Sequence, residues 1–245
     1  MSTPEAVPAG GRHPRPLTDF AGVESWIFDL DNTLYPAETN LFLQVDERIR
    51  TYVSKLLGLP PEEAHILQKS YYQRYGTTLR GLMIEHGVSP DEFLEYVHDI
   101  DHSGIRPDPR LGEAIGRLPG RRYILTNGTR EHALAVANRL GITDRFDAIF
   151  GIVEADLLPK PMPETYARFL SRHGITAPRA AMFEDLARNL AVPDELGMRT
   201  TLVVPTGTRS VFREAWELEG REAPHVQFVT DDLATFLEKV LLTIG

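Results

Sequence analysis

Beyond residue 106 the chain alternates short apolar runs with amphipathic stretches, and no other feature narrows the fold as much. The runs are "RRYILTNG", "FDAIFG", "RAAMFED", "RTTLVV" and "VQFV". Between and after them lie "TREHALAVANRLG", "PETYARFLSRHG", "LARNLAVPDELG" and "DDLATFLEKVLLT", all with helical spacing. Strands separated by helices predict parallel βαβ units with right-handed crossovers. An earlier apolar run, "WIF" at 26–28, adds a further strand. With 245 residues, 42% of them hydrophobic, the chain is long enough to bury a substantial core.

One block breaks the alternation. From Thr39 onward Leu41, Phe42, Val45, Ile49, Tyr52, Val53, Leu56 and Leu57 recur at helical spacing, and Gly58 ends the pattern. "PPEEAHILQKSYYQRYG", "TTLRGLMIEHG" and "SPDEFLEYVHDI" read as three more helices, the last with Ser89 as N-cap and Pro90 at its first position. The block offers no strand, so it is expected to sit above the sheet. The expected architecture is an α/β, Rossmann-like parallel-sheet core over 23–38 and 106–245, with an inserted all-helical cap over 39–105. Residues 1–22, rich in Pro, Gly and Ala, read as a flexible leader.

Open parallel sheets bind ligands beyond the carboxyl ends of their strands. Four polar clusters fall there: Asp29 and Asp31 after "WIF", Thr126 and Asn127 after "YIL", Lys160 after "FDAIFG", and Glu184 and Asp185 after "AAMF". Asp29 and Asp31 are two apart, so on extended backbone they lean to one face. Two such charges about 4 Å apart repel by roughly 4 kcal/mol at an effective dielectric of 20. Adding Asp185 and a phosphate dianion makes the site untenable without a hard cation, for which Mg2+ is the natural choice. Lys160 adds positive charge for phosphoryl oxygens, and Thr126 can donate a hydrogen bond to one. Asp29 suits a nucleophile on phosphorus, and Asp31 a general acid and base. A calcium loop also begins Asp-x-Asp, but the glycine it needs is Leu34 and its closing Glu is Asn40.

The formal charge of −9 and the lack of any basic run argue against a nucleic-acid polymer as partner, while leaving room for a small phosphorylated ligand. The chain has no cysteine, which excludes thiolate chemistry and suits a cytoplasmic setting. No apolar run approaches the ~18 residues of a membrane span. The histidines show no zinc spacing and read as surface residues. Tyr71, Tyr72 and Tyr75 read as packing residues, and Thr77, Thr78 and Arg80 as candidates for substrate contact across the cap.

This set of motifs resembles the haloacid dehalogenase superfamily, and within it the pyrimidine 5'-nucleotidase branch. The carriers are "DLDNT" (Asp29–Thr33), Thr126 in "YILTNG", Lys160 in "LPKPMPETY" and "FEDLARNL" (Glu184–Leu190), in the family's order with a cap after the first motif. The resemblance implies a phosphoaspartyl intermediate on Asp29. It implies Mg2+ on the side chains of Asp29 and Asp185 and on the main-chain carbonyl of Asp31, with Asn127 and Gly128 lining the phosphate pocket. It implies a small phosphorylated substrate such as UMP or CMP, and leaves room for a homodimer. Leu186 stands where related sequences often carry Ser. Other readings are a phosphoglycolate or sugar-phosphate phosphatase, a haloacid dehalogenase, and a non-catalytic protein of the same fold.

Overall fold

The computed structural model describes residues 15–205 and 219–245. Its frame is one six-stranded parallel sheet: β1 (Ser25–Phe28), β2 (Arg121–Leu125), β3 (Ala148–Phe150), β4 (Ala180–Glu184), β5 (Arg199–Val203) and β6 (Phe228–Thr230). The strand order is β3-β2-β1-β4-β5-β6. The order reverses at β1, which pairs in parallel with β2 on one side and β4 on the other. A crevice for ligands opens at such a reversal, above the carboxyl ends of the strands.

Period-two alternation along β1 sends its side chains to two cores. Trp26 and Phe28 join Phe183, Phe228 and Phe236 on one face, while Ile27 joins Tyr123, Leu125, Phe150 and Met182 on the other. Both faces are therefore covered, which is why these strands are apolar throughout rather than alternating with polar residues.

The helices are α1 (Leu41–Leu57), α2 (Pro61–Tyr75), α3 (Thr78–His86), α4 (Pro90–His98), α5 (Pro109–Arg117), α6 (Arg130–Leu140), α7 (Pro163–His173), α8 (Ala191–Glu195) and α9 (Leu233–Ile244). Helices α1–α4 lie between β1 and β2 in sequence and form the cap, with their own apolar cluster around Val53, Leu82, Phe93 and Val97. Ile152, from the loop after β3, also belongs to that cluster and ties cap to core. The two ends of the insert are laced together: Gln44 Nε2 donates to Asp101 O, and Asp101 N donates to Gln44 Oε1, both at 3.0 Å.

Several local expectations are corrected. The leader ends earlier than residue 22: Leu17–Phe20 form a 3-10 turn, and Phe20 is fully buried beside Trp26 and Phe236. Residues 1–14 lie outside the described residues. Helix α1 starts at Leu41 rather than Thr39, because Ala37–Thr39 make a 3-10 turn and Asn40 is left-handed at φ 56°. "LARNLAVPDELG" splits into a 3-10 turn over Ala187–Leu190 and the short α8. Helix α5 was not anticipated; Asp108 caps it by accepting from Leu111 N, and Leu111, Ala114 and Ile115 are buried. Among the described residues no helix is long and apolar enough to cross a membrane.

Candidate active site

The topology delivers the strand-end residues to one pocket. Asp29, Asp31, Asn127, Lys160, Glu184 and Asp185 line it together, joined by Asn189 and by Phe42 and Tyr72 of the cap. Thr126 and Gly128 are also buried at this edge, where Thr126 Oγ1 accepts from Gly128 N at 3.0 Å. That contact engages an oxygen lone pair and leaves the hydroxyl hydrogen to donate. Gly151 permits the turn behind them: a Cβ there would lie 2.8 Å from Gly128 O.

Lys160 is the hub. It is 1% exposed, and its Nζ donates to Asp29 Oδ1 at 2.6 Å, to Glu184 Oε1 at 2.8 Å and to Leu125 O at 2.9 Å. Its backbone is gripped by the Asn127 side chain, which accepts from Lys160 N at 2.7 Å and donates to Lys160 O at 3.2 Å. Asn127, expected to line the phosphate pocket, thus also fixes the lysine loop. Gly76 at the end of α2 presses on the same loop; a Cβ there would be 2.9 Å from Pro159 Cγ and 3.3 Å from Lys160 O.

Glu184 is well supplied with donors. Its Oε1 accepts from Lys160 Nζ and Asn189 Nδ2, and its Oε2 from Leu186 N. Burial raises its pKa, but Lys160 and these hydrogen bonds outweigh that and hold it below the usual carboxyl range. Asp29 has less help. Burial pushes its carboxyl up to about 7, Lys160 opposes this, and Glu184 and Asp31 add to the rise.

Asp31 turns the other way. Its Oδ1 accepts from Tyr35 OH and from His132 Nε2, the latter at 3.1 Å. Burial favours the neutral acid, yet His132 and Tyr35 pull its pKa below the usual value. The two aspartates are thus set apart, as a division of roles requires. In the protein alone it is Asp29 that holds the proton more readily. A cation on Asp29 and a phosphate dianion beside Asp31 would each push toward the opposite arrangement.

The expectation that the histidines lie on the surface fails here. His132 of α6 is buried, and His98 of the cap helix α4 stacks on it with centroids 4.7 Å apart. Burial, then the proximity of His132, lowers the His98 pKa to about 4. Thr129 caps α6 by accepting from His132 N, which places His132 on the first turn facing Asp31. The Thr-x-x-His spacing after "TNG" is a signal from which the cap could have been read, but nothing local gives the direction of the ring.

Carboxylate oxygens of Asp29, Glu184 and Asp185 lie within 4.8 Å of one another. Among the described residues four carboxylates line the pocket against a single ammonium, Lys160. An all-oxygen donor set with excess negative charge fits a hard divalent cation. The sequence-expected ligands Asp29 and Asp185 belong to this group, whereas the Asp31 carboxylate is taken up by Tyr35 and His132. Glu184, its oxygens occupied by donors, serves to hold Lys160.

Of the expected cap contacts, Thr77 and Thr78 line a second cavity that adjoins the first at Asp31 and Asn127, while Arg80 does not. Tyr71 packs edge-on against Tyr75 and hydrogen-bonds His86, as a packing residue should.

A model of haloacid dehalogenase-like hydrolases matches residues 26–192. Phosphate metabolism protein 8 of Saccharomyces cerevisiae is 29% identical over 177 residues, covering 65% of this chain and 54% of that protein. The (S)-2-haloacid dehalogenase of Xanthobacter autotrophicus is 26% identical over 143 residues, covering 58% and 55%. The chain spans about half the length of these two relatives. Among solved structures, L-2-haloacid dehalogenase from X. autotrophicus matches with a TM-score of 0.56 at 18% identity, over 89% of this chain and 98% of that one. A HAD phosphatase from Thermococcus onnurineus matches equally, 0.56 at 18%, over 89% and 97%. At such identities the structures attest the fold.

Proposed function

Because this chain belongs to the haloacid dehalogenase-like hydrolases, we propose that it hydrolyses phosphomonoesters through Asp29, with Mg2+ as cofactor and pyrimidine nucleoside monophosphates as preferred substrates. The observation that carries this reading is the buried Asp29–Lys160 pair, sharing one pocket with a second acid, Asp31, and a third, Asp185. Mg2+ would be held by the carboxylates of Asp29 and Asp185 and the main-chain carbonyl of Asp31. When bound it supplies positive charge that neutralises the carboxylates and the phosphoryl oxygens.

The chain's own residues do the rest. An Asp29 oxygen attacks phosphorus, the ester P–O bond breaks, and Asp31 gives its proton to the departing alkoxide oxygen. Asp31 then takes a proton from the water that attacks phosphorus of the acyl phosphate; the Asp29 O–P bond breaks, inorganic phosphate leaves, and Asp29 returns as carboxylate. Lys160 and the Thr126 hydroxyl stabilise negative charge on the transferring group.

His132 is a positioning residue in this scheme, because its Nε2–H fixes the Asp31 carboxylate. His132→Leu is expected to lower kcat about ten- to a hundredfold with KM little changed. His132→Gln, which keeps an N–H in reach, should recover much of the loss; equal losses in both variants would mean that the ring only fills space.

The test of the main reading is a phosphomonoester panel. UMP and CMP are expected to be cleaved faster than sugar phosphates or phosphoglycolate, with EDTA stopping turnover and Mg2+ restoring it. The dehalogenase relative favours a second reading, halide displacement by Asp29 from a 2-haloacid. That chemistry needs neither Asp31 nor Asp185. Halide release that survives EDTA, without phosphate release from any ester, would establish it.

A further inference from the structure

The cavity adjoining the acidic pocket runs from Asp31 and Asn127 of the core to Gln68 of the cap helix α2. Phe42, Ile49, Leu79, Phe93 and Val97 give it apolar stretches of wall, between which Asp46, Thr77, Thr78 and His98 also line it. Gln68, 1% exposed, is its odd feature. The Gln68 Nε2 donates to Asp46 Oδ1 at 2.7 Å and to Asp46 O at 3.1 Å. Both partners are pure acceptors, so the amide cannot be turned round without setting oxygen against oxygen. The backbone of Gln68 is pinned as well, since its carbonyl accepts from Thr78 Oγ1 at 3.0 Å. Lys69 Nζ, 2.9 Å from Asp46 Oδ1, balances that carboxylate. What remains is Gln68 Oε1, a buried acceptor with no hydrogen-bond partner among the described residues, in a residue that lines the cavity.

A buried acceptor without a donor is costly, and a ligand that brings the donor gains what the free protein lacks. We propose that Gln68 is the specificity residue for the leaving group: its Oε1 accepts from an N–H on a flat, uncharged ring enclosed by the apolar walls. This deepens the phosphomonoesterase reading and rests on it. A polyhydroxyl leaving group would bury several hydroxyls against the apolar stretches of the wall, where nothing pairs with them. A carboxylate-bearing one offers no donor and meets Gln68 Oε1 and Asp46 instead. The imide N–H of uracil has the required chemistry, as does the exocyclic amino N–H of cytosine.

The experiment compares UMP with N3-methyl-UMP, which keeps the ring and replaces the N–H by a methyl group; ribose 5-phosphate serves as a plain ester. The native protein is expected to prefer UMP over its methylated form by about ten- to a hundredfold in kcat/KM. In Gln68→Leu the ratio of the two should fall toward one. That ratio is taken within one preparation, so it does not depend on how much of the variant is folded, and the native comparison stands even where the variant fails to fold. Equal rates for UMP and N3-methyl-UMP in the native protein, or UMP no better than ribose 5-phosphate, would overturn the proposal while leaving the phosphatase reading intact. Release of phosphate from none of the three would overturn that reading itself.

Discussion

Asp29→Asn is expected to reduce phosphomonoester turnover by roughly four to six orders of magnitude, the scale seen when a covalent nucleophile is removed. The asparagine amide matches the carboxylate in shape and can still accept from Lys160 Nζ through its oxygen, so the pocket keeps its form. What it lacks is an oxygen anion able to bond to phosphorus. Substrate binding should therefore persist while acid-stable labelling of the protein by phosphate disappears. Single-turnover kinetics with a 32P-labelled ester checks both. A variant that retains more than about a hundredth of native turnover would place the nucleophile elsewhere, and Asp31 would be next to test.

Lys160→Met should produce the largest stability change. It leaves Asp29 and Glu184, both buried, without their shared ammonium. Removing one partner of a buried ion pair costs about 3–5 kcal/mol, readable by urea titration near pH 7. The pH dependence has a definite sign. In the native protein Glu184 lies below its usual pKa despite burial, because Lys160 favours the ionised form. Its contribution is therefore present at neutral pH and lost as pH falls through the folded-state value. Without Lys160 burial prevails, both acids rise, and the variant gains stability as they take up protons. The gap between variant and native protein should be widest near neutrality and narrow below about pH 5. A gap that is independent of pH would mean the lysine matters for its packed chain rather than its charge.

The part of this molecule legible in its sequence is the part that repeats. Apolar runs broken by helices specify a parallel sheet, and the rule that ligands sit beyond strand ends then gathers Asp29, Thr126, Lys160 and Asp185 from distant places. Helix α5 escaped because "RPDPR" has the composition of a loop, although Asp108 and Pro109 are the cap and first position of a helix. His132, Gln68 and Asn189 escaped for a deeper reason. Their importance lies in which atoms are buried and which donors meet which acceptors, and those pairings join residues of different elements. Phe20 was lost in a stretch of Pro, Gly and Ala, where one aromatic side chain outweighs the composition around it once the sheet gives it a place to pack.

The lacing of Gln44 to Asp101 has an evolutionary corollary. Entry and exit of the helical insert are fastened to each other, so the insert resembles a cassette plugged into a socket beside the first strand. Its walls can drift, or be replaced wholesale, with the acids at the sheet edge left undisturbed. Chimaeras that graft a foreign insert at this junction should therefore inherit the donor's taste for substrate and keep the host's chemistry.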